Sequence, residues 1–125
     1  MKTILLIDDD ALFSGLIRQT LVNDFNVVLA NDVYQAMAQI DQRIPDLIVL
    51  DILMPANNGL NLLNELMSFQ DTVAVPVIIC SSVANELNQE VLALADVVKV
   101  LDKTTMQPTD ILNHARYILY GKSEI

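Results

Sequence analysis

Four short, largely apolar runs in this chain each end on residues able to do chemistry. Thr3 to Ile7 runs into Asp8-Asp9-Asp10, Leu47 to Leu50 into Asp51, Pro76 to Cys80 into Ser81-Ser82, and Val97 to Leu101 into Asp102-Lys103. Carboxylates gathered in one place repel unless a cation lies between them. Mg2+ is a hard ion held by a few carboxylates, with waters and phosphate oxygens completing its shell. Asp8, Asp9 and Asp51 therefore make a candidate Mg2+ site with open positions. An Asp carboxylate is also a competent nucleophile toward phosphorus, giving an aspartyl phosphate. Phosphoryl transfer needs little beyond an in-line nucleophile and positive charge on the equatorial oxygens. Mg2+ and Lys103 would supply that charge, and a Ser81 hydroxyl, or that of Ser82, would hydrogen-bond a further oxygen.

Each of these residues alone has an ordinary explanation. Asp8-Asp9-Asp10 could cap a helix, Asp51 could close a turn, the serines could begin one, and Lys103 could be a surface lysine lying along apolar neighbours. Their joint appearance at successive run ends is what sets them apart. Asp51 stands at the centre, because an ionised carboxylate closing a buried strand is costly unless paired or metal-bound. Pro55 and Gly59 break the chain just after it.

To share a site, these residues must be delivered to one edge of a sheet. The runs from Thr3, Leu47 and Pro76 lack polar alternation, which suits strands covered on both faces. Phe25 to Ala30 is a second strand, and Val97 to Lys103, interrupted by Lys99, suits an edge strand. Between them lie amphipathic helices. The first carries Leu12, Phe13, Leu16, Ile17 and Leu21 and stops near Asn23-Asp24; the second carries Val33, Ala36, Met37 and Ile40 after an Asn31-Asp32 cap. The third carries Leu60, Leu62, Leu63, Leu66 and Met67. The fourth spans Asn85 to Ala95 with Leu87, Val91, Leu92 and Leu94 inward, and the last starts near Pro108, carries Ile111, Leu112, Ala115, Ile118 and Leu119, and stops at Gly121. Five strand-helix units in alternation predict an α/β doubly wound parallel sheet with helices on both faces. Ligands bind such sheets at the carboxyl ends of the strands.

At 125 residues the chain fits one domain, 1–125, with a core over about 2–120 and a short tail. Sixteen acidic against seven basic residues give a net charge of −9, which repels phosphate backbones and anionic lipid, so direct nucleic-acid binding is not expected. No apolar run approaches the roughly 18 residues of a membrane span, and the N-terminus lacks the features of a signal peptide. A cytoplasmic protein is expected. The single Cys80, inside an apolar run, reads as a small buried hydrophobe rather than a redox site.

Taken together, Asp8-Asp9 after Ile4 to Ile7, Asp51-Ile52-Leu53-Met54-Pro55 with Gly59, Pro76 to Ser81, and Lys103 resemble the receiver domain of two-component response regulators, over Lys2 to about Leu119. The resemblance implies a flavodoxin-like (βα)5 sheet of order 2-1-3-4-5 in three layers. It implies Asp51 as phosphoacceptor, Mg2+ held by Asp8, Asp9, Asp51 and the Leu53 carbonyl, Ser81 sensing the phosphoryl group and Lys103 pairing with it. The implied partner is a sensor histidine kinase or phosphotransfer protein, and the only chemistry catalysed is the domain's own phosphorylation and dephosphorylation. Leu53 and Val83 are expected to flank the phosphoryl group and hinder the hydrolytic water. The last helix, with Tyr117 and Tyr120, is a candidate homodimer or partner surface, although core packing is the safer assignment for at least one of the tyrosines. Three departures stand out: Thr104 where the family usually has proline, Val100 where many members carry an aromatic residue, and Asp96-Val97-Val98 in place of a small turn. They make a pseudo-receiver, a phosphorylation-independent protein-binding module, the main alternative. An aspartate-nucleophile phosphatase is disfavoured, because Asp8-x-Asp10 leads to Leu12 rather than threonine.

Overall fold

The computed structural model describes residues 1–52, 59–82, 84, 87, 89–93 and 95–121. The order is β1 (Thr3–Ile7), α1 (Ala11–Leu21), β2 (Asn26–Ala30), α2 (Val33–Gln42), β3 (Leu47–Leu50), α3 (Gly59–Ser68), β4 (Pro76–Ser81), α4 (Gln89–Leu92), β5 (Asp96–Asp102) and α5 (Pro108–Tyr120). All neighbouring strands pair in parallel, in the order β2-β1-β3-β4-β5. The doubly wound architecture and its strand order are as expected. The chain reverses its direction of travel across the sheet between β1 and β3, so the carboxyl ends of these two strands flank the switch point.

Strand alternation splits the core in two. Leu5, Ile7, Ile48, Leu50, Val77 and Ile79 face one way and pack with α2 and α3. Ile4, Leu6, Leu47, Val49, Ile78 and Cys80 face the other and pack with α1 and α5. β1 and β3 are buried along their whole length, which is why their sequences show no polar alternation. β5 lies at the sheet edge, as its internal lysine suggested, and it begins one residue earlier than expected. Val77 pairs with Val97 but Ile78 with Lys99, so Val98 is an extra residue in a β-bulge. Asp96-Val97-Val98 thus belongs to the strand instead of forming a turn before it.

Two helix faces differ from the sequence expectation. α1 buries Ser14, Ile17 and Leu21, with Phe13 partly covered, whereas Leu12 is 88% exposed and Leu16 half exposed. The inward line runs at spacings of three and four from Ser14, and Leu12 and Leu16 lie one step round the helix from it. Met67 on α3 is likewise exposed. Of the fourth helix, Gln89–Leu92 is described, and Leu87 and Leu92 pack on the α2–α3 side; the expected core roles of Val91 and Leu94 lie outside the described side chains.

The helix ends follow the predicted caps. The Asp10 carboxylate accepts from the Leu12 and Phe13 amides, Asp32 accepts from the Gln35 amide at 2.8 Å, and Gly121 closes α5 with φ of 68°. None of the described helices is long and apolar enough to cross a membrane.

α5 is fastened to the end of α1 and the start of β2. Tyr120 stacks on buried Phe25 with centroids 5.3 Å apart and its hydroxyl donates to the Asp24 carbonyl, while Arg116 pairs with the Asp24 carboxylate. Tyr120 is therefore the tyrosine used in packing, and Tyr117 is the more exposed of the two. Replacing Tyr120 by leucine removes the stacking and the hydroxyl contact, and is expected to lower stability by about 1 kcal/mol, measured by urea unfolding.

Candidate functional site

Parallel hydrogen bonding continues beyond the strands and fixes the site's backbone. The Asp8 amide donates to the Ala30 carbonyl at 3.1 Å, the Asp51 amide to Ile7 at 2.9 Å, and the Lys103 amide to Ser81 at 3.1 Å. Each functional residue is thus held by a neighbouring strand instead of a free loop. Side-chain alternation then aims them. Asp8 follows Ile4 and Leu6, Asp51 follows Leu47 and Val49, and Lys103 follows Leu101, all on the α1–α5 side of the sheet. Ser81 has the opposite parity, with Val77 and Ile79.

The convergence is direct. Lys103 Nζ lies 2.8 Å from Asp8 Oδ2 and 3.4 Å from Asp51 Oδ2. Asp8, Asp9 and Asp51 each offer an oxygen, and these oxygens all lie within 4.8 Å of one another. Asp8 and Asp51 are buried and Asp9 is exposed, so the cluster has a closed floor and an open rim. Such a set of hard oxygen donors suits a divalent cation of the Mg2+ type, and the neighbouring ammonium suits an anion. Ser81 is fully buried at the end of β4, opposite Asp102, and Ser82 is exposed beyond it. The assignments of the Leu53 carbonyl and of Leu53 and Val83 as flanking groups lie outside the described residues.

Three supporting residues escaped the sequence reading. Phe13 looked like core, yet its ring centroid is 4.4 Å from Lys103 Nζ. Asp102 looked like the end of a strand, yet its carboxylate accepts from the Thr104 amide at 2.9 Å and the Thr104 hydroxyl at 2.6 Å. Its carbonyl also receives the Thr105 and Met106 amides. The turn behind Lys103 is thus built on side-chain hydrogen bonds, including one to an amide that proline would lack. The signal for it was present in the Asp-x-Thr spacing. By sequence Gly59 marks only a chain break. Its amide donates to the Ile52 carbonyl at 2.8 Å, and a Cβ there would sit 3.0 Å from both the Asp51 carbonyl oxygen and Ile52 Cα. Glycine lets α3 start close against the backbone that carries Asp51.

Burial pushes the Asp8 carboxyl above its ordinary 3.8, against the pull of its bond from Lys103, the Asp10 amide and the Lys103 charge; the Asp51 charge adds to the rise. Burial draws the Lys103 ammonium down, but its bond to Asp8 and the charges of Asp8 and Asp51 prevail and hold it above 10.5. Burial thus works against the charge of both partners, and their contact with each other offsets part of that cost. Cys80, buried on the same side of the sheet, has its thiol pushed up to about 12, mainly by burial, as befits a core residue.

The family model for the response regulator receiver domain matches residues 4–116. The chain belongs to that family. As a receiver domain it is similar to the transcriptional regulatory protein CpxR of Klebsiella pneumoniae, 39% identical over 90 residues, covering 71% of this chain and 37% of that protein. It is also similar to a protein-glutamate methylesterase/protein-glutamine glutaminase of Chromobacterium violaceum, 38% identical over 86 residues, covering 66% of this chain and 23% of that one. The chain thus spans well under half the length of these curated relatives. Among solved structures, the CheY-like receiver domain protein of Methanospirillum hungatei shares the fold with a TM-score of 0.81 at 22% identity, over 97% of this chain and 95% of that one. The response regulator TrrA of Thermotoga maritima, in complex with Mg2+ and BeF, has a TM-score of 0.80 at 21% identity, over 95% of this chain and all of that one.

Two expectations follow. Gly59→Ala should lower stability by about 1–3 kcal/mol, read by urea unfolding, because the two atoms it meets are backbone. For Asp8, the folded pKa lies above the unfolded one, so its contribution to stability is fully present below pH 3.8 and is lost as pH rises through the folded pKa. In metal-free buffer, wild type should therefore lose stability relative to Asp8→Asn as pH climbs through that window, measured by urea unfolding at stepped pH.

Proposed function

We propose that this receiver domain accepts a phosphoryl group on Asp51 from the phosphohistidine of a sensor kinase or phosphotransfer protein, and that the modification switches a protein-interaction surface. The observation that carries the reading is the convergence of three carboxylates within 4.8 Å with an ammonium 2.8 and 3.4 Å from two of them. Asp8, Asp9 and Asp51 would hold Mg2+, whose charge would offset that on the transferring oxygens. An Asp51 carboxylate oxygen forms the bond to phosphorus as the P–N bond to the donor imidazole breaks; the electron pair stays on the leaving nitrogen, which takes up a proton. Lys103 neutralises one phosphoryl oxygen from the α1–α5 side. Ser81, of opposite parity, would serve another from the α2–α3 side.

The same two residues link the chemistry to a surface. Lys103 stands between β5 and α5, and Ser81 ends β4, so drawing them to a phosphoryl group biases the α4–β5–α5 face between two states. On this reading the domain acts in the cytoplasm as a signalling phosphoacceptor whose only catalysis is on itself. The pseudo-receiver alternative drew on Thr104, but the Asp102–Thr104 turn orders that loop while Lys103 reaches both carboxylates. Val100, the other departure, is partly buried against the α2–α3 core.

Radiolabelled acetyl phosphate with Mg2+ tests the assignment. Label should appear on wild type and fall to background in Asp51→Asn; uptake by that variant at the wild-type rate would refute it. Mg2+ titration followed by NMR should perturb the Asp8, Asp9 and Asp51 amides together, whereas a pseudo-receiver would show no carboxylate-dependent binding.

A further inference from the structure

The Phe13 ring is the one neighbour of the Lys103 ammonium that is not a carboxylate in the contacts described above. Phe13 lies in the first turn of α1, partly buried on the α1–α5 side. Its position is fixed from the acidic segment itself, since Asp10 accepts from the Leu12 and Phe13 amides at 3.1 Å each. The ring centroid is 4.4 Å from Lys103 Nζ, and the Lys103 side chain is only 16% exposed. An aromatic face attracts an ammonium at this distance, and more strongly where water is excluded.

The ring differs from Asp8 and Asp51 in one respect: it can neither ligate a cation nor be phosphorylated. When Asp8 turns to a metal and Asp51 becomes an acyl phosphate, both carboxylate partners of Lys103 change, while the ring does not. We propose that Phe13 is a positioning residue, holding the Lys103 ammonium at the carboxylate cluster by a cation–π contact while the ammonium exchanges carboxylate for phosphoryl oxygens. The proposal rests on the phosphoacceptor reading of Asp51. Aliphatic replacement keeps an apolar side chain on this side of the core but removes the attraction.

Two measurements test it. In the metal-free, unphosphorylated protein, the Lys103 ε-methylene protons should be shifted upfield by the ring, and Phe13→Leu should abolish that shift. With acetyl phosphate and saturating Mg2+, Phe13→Leu should be phosphorylated about fivefold more slowly, the size of one such contact. A series of mono-, di- and trifluorinated phenylalanines at position 13, which keep the ring's shape but deplete its face, should slow the reaction stepwise. A flat fluorination series, even with a slow Phe13→Leu, would reduce the ring to a steric wall and overturn the proposal, as would absence of the upfield shift. If wild type itself took no label, the phosphoacceptor reading would fall, and the methylene shift would still decide whether ring and ammonium meet.

Discussion

The ammonium of Lys103, shared between Asp8 and Asp51, is the contact on which the rest of this molecule depends. Three acidic side chains brought within 4.8 Å, two of them buried, repel one another and lose hydration. A single half-buried cation offsets part of that, and burial still leaves Asp8 harder to ionise than an ordinary carboxyl. The surplus of negative charge is what a divalent cation would offset. It can be tolerated only because β1 and β3 beneath it are wholly apolar and buried, with helices on both sides. The apolar core lies in the lower part of the sheet and the candidate site at its upper edge.

The way Lys103 is held sets this chain apart from the family pattern it otherwise resembles. Where proline usually shapes the loop, Asp102 and Thr104 build it from hydrogen bonds, and the lysine amide is tied to β4 through the Ser81 carbonyl. The loop therefore depends on a carboxylate that is itself outside the cluster. Val100, where many members of the family carry an aromatic residue, packs on the α2–α3 core.

Most of the fold and the site was legible because it rests on local rules. Uninterrupted apolar runs marked the central strands, Asp10, Asp32 and Gly121 marked helix ends, and polar residues at strand ends marked the site. What was missed depended on contacts between distant segments. Leu12 and Leu16 look as apolar as Ile17, and only the packing of α1 against α5 decides which face turns in. Phe13 reads as core until Lys103 arrives from 90 residues further on. Gly59 reads as a turn residue until the Asp51 backbone is seen to lie 3.0 Å from where its Cβ would be. The bulge at Val98 was invisible, since two adjacent valines carry no hint of which one is paired.

That bulge gives β5 unequal tolerance along its length. Val97 pairs with Val77 and Lys99 with Ile78, so the strand would stay in phase if Val98 were deleted. Its lower end therefore has one residue of slack. From Lys99 to Lys103 there is none: Val100, Leu101 and Asp102 alternate in strict pairing with Ile79, Cys80 and Ser81. Gaining or losing one residue in that segment would turn the ammonium to the opposite side of the sheet, away from Asp8 and Asp51. Loss of one residue at the bulge thus leaves the strand in phase, whereas from Lys99 to Lys103 it does not, a reading frame imposed by geometry on five residues.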